Sequence, residues 1–170
     1  HEDVFYYITV MNENYAHPPL PEGAEEGIIK GLYRLRASQH DGPRVQLLGS
    51  GTILREVERA AALLEERYGV AADVWSATSF TELARDGMAV ARWNLLHPAE
   101  PPRASYVDAC LHDTQGPVIA ATDYMRAYAE QIRPYVSRRY RVLGTDGYGR
   151  SDTREALREF FEVNAEYIVL

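Results

Sequence analysis

Two glycine-rich segments of this 170-residue sequence have residue types and spacing that could support chemistry. Gly49-Ser50-Gly51 follows an apolar run and precedes a helical pattern, like the first glycines of a dinucleotide-binding loop. That loop needs a third glycine three residues later, where the helix packs closely against the strand, and Leu54 occupies this position. The segment therefore predicts a tight turn between a strand and a helix. Binding of a stray anion at the helix N-terminus stays an open alternative.

The second segment is Gly144–Asp152, which carries three glycines between a predicted strand and a predicted helix. A metal–diphosphate motif of thiamine enzymes begins Gly-Asp-Gly and ends in a distant asparagine. Here the triplet is Thr145-Asp146-Gly147, and Asn164 lies too near. The segment predicts a loop that turns the chain and caps a helix. An interface is the alternative, because loops at the carboxyl ends of strands present functional groups.

Other polar residues give weaker signals. The histidines show no pairing at metal-ligand spacing and are interpreted as surface or capping residues: His1, His17, His40, His97 and His112. His17 and Asn12-Glu13-Asn14-Tyr15 follow the first predicted strand and are expected nearest to any active site. No Gly-x-Ser-x-Gly motif supports a hydrolase. We predict that this chain supplies no catalytic, cofactor-binding or metal-binding residue.

The stretch from Asp123 to Arg133 combines two arginines, a glutamate and two tyrosines after a buried strand. A solvated helix face would explain this composition. A subunit interface is the alternative, since tyrosine and arginine are enriched at interfaces.

The elements that must position these residues alternate between strands and helices. Strands are predicted at 4–10, 45–48, 72–75, 117–121 and 140–143. Helices are predicted at 24–35, 52–68, 106–111 and 124–132. Two more are predicted from their caps: one begins at the Ser79–Glu82 capping box, and one runs from a Ser151 or Asp152 cap to about Phe161. Gly69 is expected to end the second helix in a left-handed conformation. This alternation predicts an α/β fold of three layers with a mostly parallel, doubly wound sheet.

Composition excludes several classes of function. The chain is 46% hydrophobic and 25% charged, which is typical of a soluble globular domain. Eighteen basic and 25 acidic residues give a net charge of −7, which argues against nucleic-acid or anionic-membrane partners. The single cysteine, Cys110, favours a reducing, cytoplasmic location. We expect no membrane span, because no apolar run approaches about 18–20 residues.

Long segments rather than one motif resemble a known family. These segments are Asn12–Tyr15, Pro21–Gly27, Val45–Gly51, Thr78–Leu83, Arg92–Pro98, Ala121–Met125 and Leu143–Asp152. In them the chain resembles the homodimeric decarboxylase (first) component of the pyruvate dehydrogenase complex, nearly from end to end. The resemblance implies that residues 1–22 are the last strand of a preceding pyrimidine-binding domain and a linker. Residues 23–170 would be a transketolase-like carboxy-terminal domain, truncated at its end.

The resemblance also implies a function. The whole enzyme would use thiamine diphosphate and Mg²⁺ to decarboxylate pyruvate and reductively acetylate a lipoyl group. Its partners would be a second copy, the upstream domains and the dihydrolipoyl transacetylase. No position here matches the family's metal motif, activating glutamate or active-site histidines, so this segment is expected to serve dimerisation and architecture, with no cofactor bound to it alone. The alternatives are a non-catalytic interaction module acting on its own and a stand-alone nucleotide-binding domain.

Overall fold

The structure, a computed structural model, describes residues 3–8 and 14–170. Its strands are β1 (Leu32–Arg36), β2 (Arg44–Gly49), β3 (Ala71–Ala77), β4 (Val118–Ala121) and β5 (Tyr140–Leu143). Its helices are α1 (Glu25–Lys30), α2 (Leu54–Tyr68), α3 (Phe80–Leu96), α4 (Tyr106–Leu111), α5 (Arg126–Glu130), α6 (Arg154–Phe160) and α7 (Ala165–Val169). Short 3-10 turns occupy Gly51–Ile53 and Arg133–Tyr135. No helix in these described ranges is long and apolar enough to cross a membrane.

The strands form one sheet in the order β1-β3-β2-β4-β5. Strands β3, β2, β4 and β5 are parallel, and β1 pairs antiparallel with β3 at one edge. The chain leaves β2 through α2 towards β3, and then returns through α3 and α4 to β4 on the other side of β2. The predicted α/β fold with a mostly parallel, doubly wound sheet is therefore confirmed.

Helices cover both faces of the sheet, which gives the three predicted layers. Alternate strand residues point to opposite faces, so neighbours such as Leu47 and Leu48 enter different cores. One core joins the sheet to α3, α4 and α5 and includes Leu48, Trp75, Leu83, Val107, Leu111 and Ala129. The other joins the sheet to α2 and α7 and includes Leu47, Val74, Val57, Ala61 and Ile168. Burial on both faces explains why these strands lack polar alternation.

Several element ends lie where local sequence signals predicted them. Gly69 ends α2 with φ 62°, the left-handed conformation that glycine adopts at least cost. The Ser79 hydroxyl accepts a hydrogen bond from Glu82 N at 3.1 Å at the start of α3. The Glu82 carboxylate pairs with Arg85 instead of closing the reciprocal half of the capping box.

Two predictions for the first third of the chain are wrong in the described residues. Residues 4–8 of the predicted strand 4–10 are exposed and lie outside any strand, and residues 9 and 10 lie outside the described ranges. The predicted helix 24–35 stops at Lys30, because Gly31 (φ 99°) turns the chain. Leu32–Arg36 then extends along the outer edge of β3 as β1. Pairing with a strand some 40 residues away thus overrides local helical periodicity.

Two further helices begin at other residues than predicted. The predicted helix 124–132 is shorter, since α5 spans Arg126–Glu130 and a 3-10 turn containing Pro134 follows. The cap of α6 is neither Ser151 nor Asp152, because the Thr153 hydroxyl accepts the hydrogen bond from Ala156 N at 3.3 Å. Asp152 instead accepts a hydrogen bond from Thr153 N at 2.8 Å and fixes the residue that does the capping.

A buried carboxylate attaches the last two helices to α2. Glu56 on α2 is 4% exposed, and its Oε1 accepts from Arg158 Nη1 of α6 at 3.0 Å. Its Oε2 accepts from Arg59 Nη1 at 2.9 Å and from Ala165 N, at the start of α7, at 3.1 Å. These hydrogen bonds to the carboxylate oxygens offset part of the cost of burying the side chain.

Replacing this carboxylate should destabilise the chain. Glu56→Gln keeps the size but turns one acceptor into a donor that faces Arg158 or Ala165 N. We expect a loss of about 2–4 kcal/mol in unfolding free energy. Glu58→Gln, on the less buried side of α2, should change it by less than about 0.5 kcal/mol. Urea unfolding followed by circular dichroism measures both, and equal stability of the two variants would contradict the anchoring role.

Candidate functional site

The carboxyl edge of the parallel sheet is the candidate site of this fold. The loops that leave β2, β4 and β5 at this edge are residues 50–53, 122–125 and 144–153. The chain runs in opposite directions from β2 and β4, so the topological switch point lies between these two strands. In open α/β sheets, ligands bind in the crevice at such a point.

A carboxylate of the chain itself occupies this crevice. Thr52 Oγ1, beside the N-terminus of α2, donates to Asp123 Oδ2 at 3.2 Å. Asp123 Oδ1 lies 3.5 Å from where a Cβ on Gly51 would stand. A pyrophosphate needs this position at the helix N-terminus, and the negative charge of Asp123 would repel it.

The first glycine of the same loop has a packing role. A Cβ on Gly49 would lie 2.7 Å from Leu54 Cα, so only glycine lets α2 start this close to β2. Gly51 adopts φ 58°, a left-handed conformation that turns the chain into the helix. The predicted tight turn therefore explains both glycines without a bound ligand.

The glycine-rich loop after β5 is fastened to the loop after β4. Thr145 N donates to the Tyr124 carbonyl at 2.9 Å, and the Thr145 hydroxyl donates to the Asp123 carbonyl. Asp146 accepts from Arg126 twice, through Oδ1 from the backbone N at 3.1 Å and through Oδ2 from Nε at 2.6 Å. The hydrogen bond from the Arg126 guanidinium lowers the pKa of Asp146 below its usual value.

These contacts do not fit a thiamine diphosphate–magnesium site. Asp146 is the acid of the Thr145-Asp146-Gly147 triplet, and both of its carboxylate oxygens already accept hydrogen bonds from Arg126. In residues 3–8 and 14–170, no group of three or more His, Cys, Asp or Glu side chains could hold a metal ion. The loop connects β5 and α6, and the expectation that this chain supplies no cofactor-binding or metal-binding residue stays a prediction.

The histidines singled out in the sequence lie apart from one another. His97 stacks on Trp93 with a centroid distance of 4.4 Å, and the carbonyls of His40 and His112 accept from Arg44 and Arg138. His17 is exposed in the segment before α1, and His1 lies outside the described residues.

The segment that follows the first predicted strand does approach the carboxyl edge. The Tyr15 ring lies under the Arg55 guanidinium at 4.1 Å, beside the first turn of α2. Of the Asn12–Tyr15 motif, Asn12 and Glu13 lie outside the described residues. The expectation that this motif lies near an active site stays a prediction.

A cavity of about 280 Å³ at the carboxyl edge was not foreseen from the sequence. Thr52, Asp123 and Thr145 line its polar side, and Leu157 of α6 and Phe161, which follows that helix, line its apolar side. The long-range contact between Arg158 and Glu56 closes this cavity by bringing α6 against α2. No local sequence pattern indicates a contact between two residues that lie 102 positions apart.

The geometry of the crevice predicts that nucleotides do not bind. A ligand present at a hundred times its Kd would stabilise the chain by about 2.7 kcal/mol and raise its melting temperature clearly. We expect a shift of less than about 1 °C with NAD⁺ or ATP at about 1 mM, measured by differential scanning fluorimetry. NAD⁺ or ATP could instead raise the melting temperature by several degrees, and by the same amount in Asp123→Ala. That result would show that Asp123 does not exclude phosphates.

A second prediction concerns the ion pair of the glycine-rich loop. The Asp146 pKa is lowered, so the stabilisation of the loop by Arg126 is present above the ordinary aspartate pKa and is lost as pH falls through the lowered one. In Arg126→Gln the pKa of Asp146 should return towards its ordinary value, as measured from the carboxyl chemical shift in a pH titration. Arg133→Gln is the control, because Arg133 pairs with Glu130. An unchanged Asp146 pKa in Arg126→Gln would refute this cause.

Comparison with known proteins agrees with this architecture. Two curated relatives, both named pyruvate dehydrogenase E1 component, are 63% identical over 171 residues (Pseudomonas aeruginosa) and 58% identical over 170 residues (Escherichia coli K12). Each alignment covers 99% of this chain but 19% of the relative, so the chain spans about a fifth of the relatives' length. The resemblance seen in the sequence is thereby confirmed.

Solved structures share the fold at lower identity. Transketolase from Campylobacter jejuni matches with a TM-score of 0.54 and 21% identity, over 82% of this chain and 18% of that one. Transketolase from Leishmania mexicana matches with a TM-score of 0.55 and 22% identity, over 85% and 18%. The family model described as transketolase-like TK C-terminal domain matches residues 31–164. The chain therefore belongs to the family of transketolase-like carboxy-terminal domains.

Proposed function

We propose that this chain is the carboxy-terminal part of a pyruvate dehydrogenase E1 component, in which it serves dimerisation and architecture rather than chemistry. The observation that carries this proposal is the high identity to E1 components along the whole chain. The full protein would decarboxylate pyruvate and reductively acetylate a lipoyl group of the dihydrolipoyl transacetylase, in the cytoplasm. Thiamine diphosphate, held with Mg²⁺ by upstream domains, would supply the electron sink for decarboxylation.

The exposed start of the chain supports a domain boundary near residue 22. Val4–Ile8 is apolar and aromatic, and its side chains are 59–94% exposed. A segment of this composition favours a buried strand, yet residues 4–8 pair with none of the five strands of this sheet. We infer that residues 1–22 complete the sheet of a preceding pyrimidine-binding domain and lead into the domain of residues 23–170.

The contacts of the carboxyl edge support an architectural role. Asp123 and Asp146, the carboxylates at the switch point and in the glycine-rich loop, are bound by Thr52 and Arg126 of the same chain. These hydrogen bonds hold the two loops in place, and a general acid or base must in addition lie within hydrogen-bond reach of a substrate proton. This chain would orient its loops towards other protein surfaces and leave proton transfer to upstream residues.

The experiment compares the full-length protein that contains this chain with the 170-residue chain alone. Reduction of an artificial electron acceptor is measured with thiamine diphosphate and Mg²⁺, with pyruvate or with 2-oxoglutarate. We expect activity with pyruvate in the long protein, because it carries the upstream site, and none in the short chain.

Each other outcome identifies the part of the proposal that fails. Activity of the short chain would refute the absence of catalytic groups in it. A long protein that is inert towards pyruvate would refute the enzyme assignment and favour an interaction module acting on its own. A short chain that fails to melt cooperatively is not a valid comparison, so its folding is checked first by circular dichroism.

A further inference from the structure

We propose that the cavity of about 280 Å³ at the carboxyl edge binds a small α-amino acid with an aliphatic side chain, in its zwitterionic form. The lining comes from the loops after β2, β4 and β5, from α6, and from the residues that follow α6. Three features of the lining define this ligand: a side that accepts hydrogen bonds, an apolar side and a guanidinium. The site goes beyond the proposed function, which assigns the pyruvate chemistry to upstream domains.

The polar side of the cavity offers acceptors, because its hydroxyl protons are already used. Thr52 Oγ1 donates to Asp123 Oδ2 at 3.2 Å, and the Thr145 hydroxyl donates to the Asp123 carbonyl. Both hydroxyl oxygens keep lone pairs that can accept. Within residues 3–8 and 14–170, Asp123 Oδ1 accepts no hydrogen bond. An ammonium group carries three N–H donors and a positive charge, so it is complementary to this side of the cavity.

The other side of the cavity is apolar and closely packed. Leu157 and Phe161 are half-buried there, and Ile53 and Val163 are 1% and 2% exposed. The Phe161 ring packs edge-on against Phe160, with ring centroids 5.0 Å apart. Small-molecule sites combine an apolar lining with a few polar groups that set orientation. The volume is just below the roughly 300–1,000 Å³ of sites for drug-sized ligands, so a short aliphatic chain fits this side.

The two arginines of the lining differ in the charge that they present. Arg158 donates to Glu56 at 3.0 Å, so its charge is compensated within the wall. Arg154 has contacts of its own, but a guanidinium carries five N–H donors and can also bind a ligand carboxylate. An amine without a carboxylate would add a second cation beside Arg154, and a carboxylate without an amine would be repelled by Asp123. A zwitterion satisfies both charges.

The larger groove between α2 and α6–α7 lacks this combination. Five glutamates and three arginines line it, and alanine is the only apolar residue type among its described lining residues. A ligand there would remove little apolar area from water, which is the main source of affinity for a small aliphatic molecule. The cavity beside Asp123 is therefore the better site for an amino acid.

Isothermal titration calorimetry with L-leucine on the full-length protein tests the site. We expect one binding site per chain with a Kd of about 1 mM or below. L-Alanine should bind at least about tenfold more weakly, because it lacks three carbon atoms that would contact the apolar side. The titration contains no pyruvate, so a failure of this site and a failure of the enzyme assignment are separate results.

Substitution of the carboxylate locates the bound ligand. Asp123→Asn removes the negative charge at nearly unchanged size and should weaken L-leucine binding by at least about tenfold. Asp41→Asn is the matched control, because Asp41 is also an exposed aspartate and precedes β2 at the opposite edge of the sheet. It should leave the Kd unchanged. Circular dichroism checks that both variants fold like the parent protein.

Two analogues of L-leucine test the two charges on the unmodified protein. Isoamylamine lacks the carboxylate and isocaproate lacks the ammonium group, and each should bind at least about tenfold more weakly than L-leucine. Absence of L-leucine binding at about 20 mM would overturn the proposal. Binding that Asp123→Asn leaves unchanged would also overturn it, because the ligand would then occupy another site. Equal affinity of either analogue and L-leucine would refute the assignment to a zwitterion.

Discussion

The buried carboxylate of Glu56 sets the arrangement of the carboxy-terminal third of the chain. It lies on α2, the helix that covers one face of β2 and β3, and it binds both α6 and α7. The glycine-rich loop runs from β5 to α6, so its two ends are fixed by the sheet and by Glu56. The position of the carboxyl-edge loops therefore follows from one charged contact between residues far apart in sequence.

This contact stabilises the fold only while every hydrogen-bond donor to the Glu56 carboxylate is present. The Glu56 side chain is 6% exposed and that of Arg158 is 18% exposed, so both charges are largely removed from water. Charge-assisted hydrogen bonds from Arg158, Arg59 and Ala165 N offset this desolvation, and removing one partner leaves an uncompensated charge. Hydrogen bonds to Glu56 define the positions of α6 and α7 more narrowly than apolar contact would, because apolar burial has no preferred direction.

The sequence predicted the elements whose signals are local. Helix α2 has its apolar face, its glycine cap and its flanking strands within one stretch, and α4 and β5 have the predicted bounds. Strand β1 was missed because its partner β3 lies far along the chain, and the helical periodicity around Ile28 was stronger. The cavity beside Asp123 was missed for the same reason, since α6 reaches it through Glu56. Local patterns carry no information about which distant side chains meet.

The use of carboxylates at the carboxyl edge connects the fold with the proposed role. A parallel sheet offers a crevice with free amide groups at a helix N-terminus, and many domains of this kind place a phosphate there. Here Asp123 supplies the negative charge from within the chain, and Asp146 does the same for Arg126. Both loops are thereby held in place without a ligand, and the aromatic side chains that they carry are turned outward to solvent. Ordered loops with exposed aromatic side chains suit a contact with another protein. The loops lose their conformational entropy on folding, so little more is lost on association.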